Sequence, residues 1–180
     1  MAKELLGTAV TDENGIATFT YTGQGRGKMN IVAESGELVS ETYTIDDCSY
    51  LDTFSSDTKN KYYYENGSVN ISDGALTFTG NSDNAYLNLS NANMPNISNY
   101  QGRTVYFKAD VLNLPDGVTV NMRIYQTVNG STTSTYTEYQ SGGTLEHHRE
   151  IDASASSIIC RIQFIGANGK SVVFDNYRIV

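Results

Sequence analysis

From residue 53 onward, apolar and polar positions alternate in short runs, and a Gly- or Asn-containing turn interrupts them every eight to twelve residues. That rhythm predicts strands over 62–64, 69–71, 75–79, 85–89, 104–112, 119–128, 134–139, 147–151, 157–165 and 171–180. The turns fall at Asn66-Gly67, Asp73-Gly74, Gly80-Asn81, Asp116-Gly117, Asn129-Gly130, Gly142-Gly143 and Asn168-Gly169. No segment carries a helical period, and 91–100, which holds Met94-Pro95, reads as coil.

Because successive strand residues face opposite sides, each run divides into two faces. Val105, Phe107, Ala109 and Val111 form one face of their strand, with Tyr106, Lys108 and Asp110 on the other. Val118, Val120, Met122 and Ile124 belong to the core, opposite Asn121, Arg123 and Tyr125. Ile158, Cys160, Ile162 and Phe164 point inward, with Arg161 and Gln163 outward. One sheet is therefore expected to carry tyrosines and long hydrogen-bonding side chains on its outer face.

Residues 1–46 have a similar but shorter pattern. Strands are expected at 8–11, 16–22, 28–34 and 38–45, with an Asn14-Gly15 hairpin turn, a Gly-rich turn over 23–27 and a Ser35-Gly36 turn. The phrases GIATFTYTG and SETY resemble the second half of a bacterial Ig-like domain of the invasin and adhesin type. A complete sandwich of that kind has about seven strands. This half-unit would leave an apolar face and an edge uncovered; the other half is trimmed away, supplied by a second copy of the chain in a homo-oligomer, or replaced by packing on the next domain, and the homo-oligomer is the most economical of the three. The acidic stretch 47–52, without Gly or Pro, is expected to be a short ordered junction.

Composition fits this picture and removes several function classes. The chain has 13 Tyr, no Trp, 16 Gly and 2 Pro in 180 residues, a balance that suits short strands and polar turns. Its net charge of −8, from 12 basic and 20 acidic residues, excludes a nucleic-acid footprint and disfavours anionic membrane surfaces. No apolar run reaches membrane-spanning length, so membrane insertion is not expected. The first residues lack the apolar core of a signal peptide. The expectation is then a piece of a longer surface protein, or one that reaches the outside by assembly or lysis. Cys160 alternates with apolar residues and reads as a buried thiol acting as a small hydrophobe; a Cys48–Cys160 bridge is the alternative.

The outward residues Tyr106, Asn121, Arg123, Tyr125, Arg161 and Gln163 suit carbohydrate. Sugar rings lay their C–H faces on aromatic rings, and their hydroxyls take planar donors and acceptors. An ordinary solvated sheet face is the plainer reading of the same residues.

The last strand, Val172-Val173-Phe174-Asp175-Asn176-Tyr177-Arg178-Ile179-Val180, sets a carboxylate into an apolar run, where it needs a partner. With this FDN strand and the strand count, residues 53–180 resemble a carbohydrate-binding-module, or galactose-binding-like, jelly roll of the kind found in glycoside hydrolases, adhesins and phage tail proteins. The fold class expected is all-β: a partial Ig-like sandwich followed by an antiparallel jelly-roll β-sandwich. The resemblance also implies a structural Ca²⁺ held by Asp175 and an early acid, for which Asp52, Asp57 and Glu65 all qualify.

Catalytic signatures are missing. His147 and His148 are adjacent in a strand and so face opposite sides, which prevents them from gripping one metal together. No nucleophile elbow, phosphate loop, zinc spacing or EF-hand loop occurs. The Asn-x-Ser sequons at Asn66, Asn70, Asn88, Asn96 and Asn129 mark surface turns. The first reading is a non-catalytic module that binds cell-surface polysaccharide on a phage tail or adhesin-type fibre, placed outside the cell or on a virion. The alternative is a purely structural assembly domain with no sugar site.

Overall fold

The computed structural model describes residues 4–21 and 27–180. Its main body is a sandwich of two antiparallel sheets built by β5 (Tyr50–Asp52), β6 (Tyr62–Glu65), β7 (Gly67–Ser72), β8 (Ala75–Gly80), β9 (Asn84–Leu89), β10 (Thr104–Asn113), β11 (Thr119–Val128), β12 (Ser131–Tyr139), β13 (Gly143–Glu150), β14 (Ser157–Ile165) and β15 (Ser171–Ile179). The first sheet runs β13-β10-β15-β8-β7, with β5 paired to β15 beyond the end of β8. The second runs β12-β11-β14-β9-β6. Strands expected from alternation are in place to within a few residues, and 119–128 and 157–165 coincide with β11 and β14. The 91–100 segment is turn and coil with one short 3₁₀ turn, Ile97–Asn99.

The core lies between the sheets and consists of the inward residues. Phe78 of the first sheet stacks on Phe164 of the second at 4.4 Å, and Phe164 meets Phe174 at 5.5 Å. Leu76, Leu87, Val120, Met122, Ile124, Cys160 and Ile162 fill the space around them and are inaccessible or nearly so. Each such side chain contributes about 1.5–3 kcal/mol by leaving water, so this layer dominates stability. Cys160 sits here as an inert apolar filler whose thiol is pushed far up by burial, and no disulfide joins it to Cys48.

Two features close the sandwich. At one edge β12 and β13 come together. Arg149 donates from Nη1 to the Ile124 and Thr133 carbonyls at 3.0 and 2.8 Å, and His147 lies between the Thr135 and Thr137 hydroxyls at 2.9 Å each. On β15, the Asp175-Asn176 pair is a β-bulge. Between Lys108↔Arg178 and Asp110↔Asp175, β15 advances three residues while β10 advances two. Core parity consequently changes from Val172 and Phe174 to Tyr177 and Ile179, all buried. Asn176 takes the left-handed conformation the bulge needs, at φ 50°, and its N–H donates to Asp175 Oδ1 at 2.6 Å.

The N-terminal unit differs from expectation. Residues 8–11 and 16–21 form no strand, although Asp12 does close the Asn14-Gly15 turn through its carboxylate. The expected strands at 28–34 and 38–45 break into two pairs: β1 (Gly27–Ile31) with β4 (Tyr43–Asp47), and β2 (Glu34–Ser35) with β3 (Leu38–Val39). With no second layer behind them among the described residues, Thr-rich segments such as 16–21 lack a surface on which to pair. The Gly-rich turn, apart from Gly27, lies outside the described residues. Within 47–52, Ser49 donates to the Ile179 carbonyl and Tyr50–Asp52 is β5, so this stretch adds to the sandwich. Among the described residues, no helix is long and apolar enough to cross a membrane.

Candidate functional site

The outer face of the second sheet gathers five of the six residues expected to contact sugar. Strand register aligns them in rows. Tyr136, Arg123, Arg161, Asn88 and Tyr63 form one row across β12, β11, β14, β9 and β6. Glu138, Asn121, Gln163, Tyr86 and Glu65 form the next. Tyr125 stands beside them on β11.

These side chains stack in an alternating ladder. The Arg123 guanidinium carbon lies 4.4 Å from the Tyr136 ring centroid and 5.9 Å from that of Tyr125. Arg161 lies 5.0 Å from Tyr125 and 4.1 Å from Tyr86, whose ring is 6.2 Å from Tyr63. Cation–π contact of this kind is worth about 0.5–2 kcal/mol each and holds the long arginine chains flat against the sheet. Tyr63 and Tyr136, at the two edges, are half exposed, whereas Asn88 and Asn121 within the rows are buried.

Polar capacity on this face is only partly used. Asn88 Oδ1, Asn121 Oδ1, Arg123 Nε and Arg161 Nε are buried atoms with no hydrogen-bond partner. Elsewhere among the described residues only Thr58 Oγ1 and Arg178 Nε share that condition. An unpaired buried polar atom costs about 1–3 kcal/mol, so their concentration on one face calls for an explanation. Other groups there are already engaged. Gln163 donates to Asn84 Oδ1 at 2.8 Å, Arg123 Nη1 to Ser134 Oγ at 3.3 Å, and the Tyr63 and Tyr86 hydroxyls both donate to Glu65 Oε2.

Tyr106 is not part of this surface. It lies on β10 in the other sheet, 5.5 Å from the His148 ring, beside the Lys108–Glu146 ion pair. Alternation gave its side of the strand but not its sheet. The residues that alternation alone left out are Tyr63, Glu65, Tyr86, Asn88, Tyr136 and Glu138. Tyr86 and Asn88 alternate with buried Ala85, Leu87 and Leu89, although Asn88 is itself buried.

The carboxylates expected to hold calcium sit in separate environments. Asp52 is buried, accepts from the Phe54 N–H at 2.9 Å, and accepts from the Tyr62 and Tyr50 hydroxyls at 3.1 and 3.3 Å. Burial pushes the Tyr50 hydroxyl up to about 12 and that of Tyr62 higher, so both remain donors to Asp52. Asp57 is engaged with Lys59, and Glu65 with the two tyrosines. Asp175 caps the bulge, and among the described residues no three of His, Cys, Asp and Glu lie together. A hard cation at Asp175 would therefore draw most of its six to eight oxygens from backbone carbonyls and water.

No family model matches the sequence, and no curated protein matches it. Solved structures do match in fold. The C-terminal family 22 carbohydrate binding module of Clostridium thermocellum Xyn10B superposes at TM-score 0.51 and 12% identity, covering 74% of this chain and 93% of that one. The sandwich has the fold of a carbohydrate-binding module. The Clostridium thermocellum N-terminal endo-1,4-beta-D-xylanase 10B CBM22-1–GH10 modules, complexed with xylohexaose, match at 0.52 and 12% identity over 73% of this chain and 28% of that chain. BiXyn10A CBM1 matches at 0.50 and 10% identity, over 74% and 97%.

Proposed function

We propose that this protein is a non-catalytic carbohydrate-binding module whose polysaccharide lies across the outer face of the β12-β11-β14-β9-β6 sheet. The observation that carries the reading is the tyrosine–arginine ladder, with unpartnered amide and guanidine atoms set into it. Tyr136, Tyr125, Tyr86 and Tyr63 offer rings to sugar C–H faces. Gln163 and the partly buried arginines offer donors and acceptors to ring hydroxyls, while Asn88 and Asn121 lie buried beneath them. The fold shared with modules of xylanases supports a β-linked polysaccharide as ligand. The reading assigns no catalytic step to the chain.

Affinity electrophoresis in gels containing soluble xylan, β-glucan or galactan tests this. Tyr86→Ala and Tyr136→Ala should abolish retardation, while Tyr106→Ala, on the other sheet, leaves it intact. A chain that neither these polymers nor acidic polysaccharides such as glucuronoxylan and sulfated galactan retard would sink the reading.

The finer setting is a phage tail or adhesin-type fibre, exposed outside the cell or on a virion surface and assembled as a homo-oligomer. Its support is the N-terminal unit. Leu5, Val10, Ile16, Phe19, Leu38, Val39 and Tyr43 are all exposed there, more apolar surface than so short a segment should leave in water. A second copy of the same unit would cover them, and several weak sugar sites on one oligomer would gain avidity. The same residues favour the assembly-only alternative. Light scattering alongside the electrophoresis separates the two, since an oligomer that retards on no polymer is an assembly domain.

A further inference from the structure

Arg123 and Arg161 are directly opposite each other on β11 and β14, in the centre of the proposed binding sheet. Like charges in that position destabilise a sheet, and structural arginine pairs are normally balanced by carboxylates. Here no carboxylate lies within ion-pair distance of either guanidinium among the described residues. Arg161 goes further: it makes neither a hydrogen bond nor an ion pair, and its contacts are the rings of Tyr86 and Tyr125. A planar group with five N–H donors is thus held flat and partly buried, its Nε covered, and among the described residues it spends none of them on the protein.

The acids of this face are kept away from that centre. Glu65 and Glu138 lie on the edge strands β6 and β12, in the neighbouring row, and Glu65 is occupied by two tyrosine hydroxyls. In a chain of net charge −8, two adjacent cations without acid partners, ringed by tyrosines, form a local site for negative charge.

We propose that the polysaccharide is acidic and that the Arg123–Arg161 pair receives its anionic group, a uronic-acid carboxylate or a sulfate ester. The inference rests on the carbohydrate reading and narrows it. The anion relieves the like-charge repulsion and takes the fork of Arg161, while neutral sugar rings on either side lie on Tyr136, Tyr125 and Tyr86. Guanidinium forks match planar two-oxygen acceptors better than they match hydroxyls, which sets the selectivity.

The test pairs each acidic polymer with its own neutral derivative, by affinity electrophoresis and isothermal titration at one fixed salt. Glucuronoxylan is compared with carboxyl-reduced glucuronoxylan, and a sulfated galactan with the same galactan after desulfation. The expected result is at least about tenfold tighter binding to one acidic member than to its neutral partner, the worth of one hydrogen bond to a charged group. Whichever pair shows the gap tells carboxylate from sulfate. Arg161→Gln should close that gap, and Arg161→Lys, which keeps the charge but loses the fork, should restore only part of it. Melting curves of both variants establish that they are folded. Equal affinity for acidic and neutral members overturns this inference and leaves the carbohydrate reading standing. Absence of binding to all four polymers overturns both.

Discussion

The Arg161 guanidinium lies 4.1 Å from the Tyr86 ring on the outside of the sandwich, while one face away on the same strand Phe164 stacks 4.4 Å from Phe78. The two contacts look alike and should behave oppositely. Phe164→Ala empties a fully buried site and should cost about 3–5 kcal/mol in urea unfolding. Arg161→Ala or Tyr86→Ala should change stability by no more than about 1 kcal/mol, because the stack is partly solvated and the arginine also repels Arg123. A large loss of stability in both outer-face variants would make the ladder a structural brace.

His147 should make the sandwich acid-sensitive. Burial holds its imidazole below the usual histidine range, and His148, Arg149 and Arg123 nearby reinforce the shift. The folded state therefore keeps it neutral while the unfolded chain takes up a proton below about pH 6.5. Its contribution is fully present above that pH and is lost as pH falls through the lower folded value. Thermal melting between pH 7.5 and 5 should show a falling midpoint that His147→Gln flattens. Identical slopes in wild type and variant would remove His147 from the account.

Asn176 is set in left-handed backbone and donates from Nδ2 to Asp110 Oδ2 at 2.8 Å. Asn176→Ala pays both the strain of that conformation, about 1–2 kcal/mol, and the lost bond. Asn176→Gly loses only the bond. The expected order of unfolding midpoints is wild type, then glycine, then alanine. An alanine variant at least as stable as the glycine variant would mean that the bulge is not held at this residue.

Calcium can be checked directly. With Asp52 satisfied by Tyr50, Tyr62 and Phe54, dialysis against EDTA should leave the melting midpoint unchanged and millimolar CaCl2 should not raise it. A rise that Asp175→Asn removes would give the closing strand a bound ion after all.

The sandwich was legible in the sequence wherever alternation was strict. Ile158, Cys160, Ile162 and Phe164 were readable as core because each lies two residues from the next, and all four are buried. The candidate face was legible strand by strand, which is why Asn121, Arg123, Tyr125, Arg161 and Gln163 belong together. Which strands are neighbours is not local information, so Tyr106 was grouped with them although β10 pairs with β13 and β15. Tyr63, Tyr86 and Tyr136 are not marked by alternation for the same reason. The closing strand stands out in the sequence by its charge. Its actual work, one inserted residue that exchanges the two faces, appears only when the register against β10 is known. In the N-terminal unit, residues with strand propensity have no second layer to pack on among the described residues, and propensity alone does not make them strands.

The rows on the second sheet run from one edge strand to the other, one ending in half-exposed Tyr136 and Tyr63 and the other in exposed Glu138 and Glu65. Five strands span about 19 Å. A polymer laid on such a strip is gripped along its middle and needs no free terminus. Every internal stretch of a long chain is then an equivalent landing place, so the number of overlapping registers grows with length. Apparent affinity per chain should climb from oligosaccharide to polymer by that counting alone, with the affinity of each register unchanged.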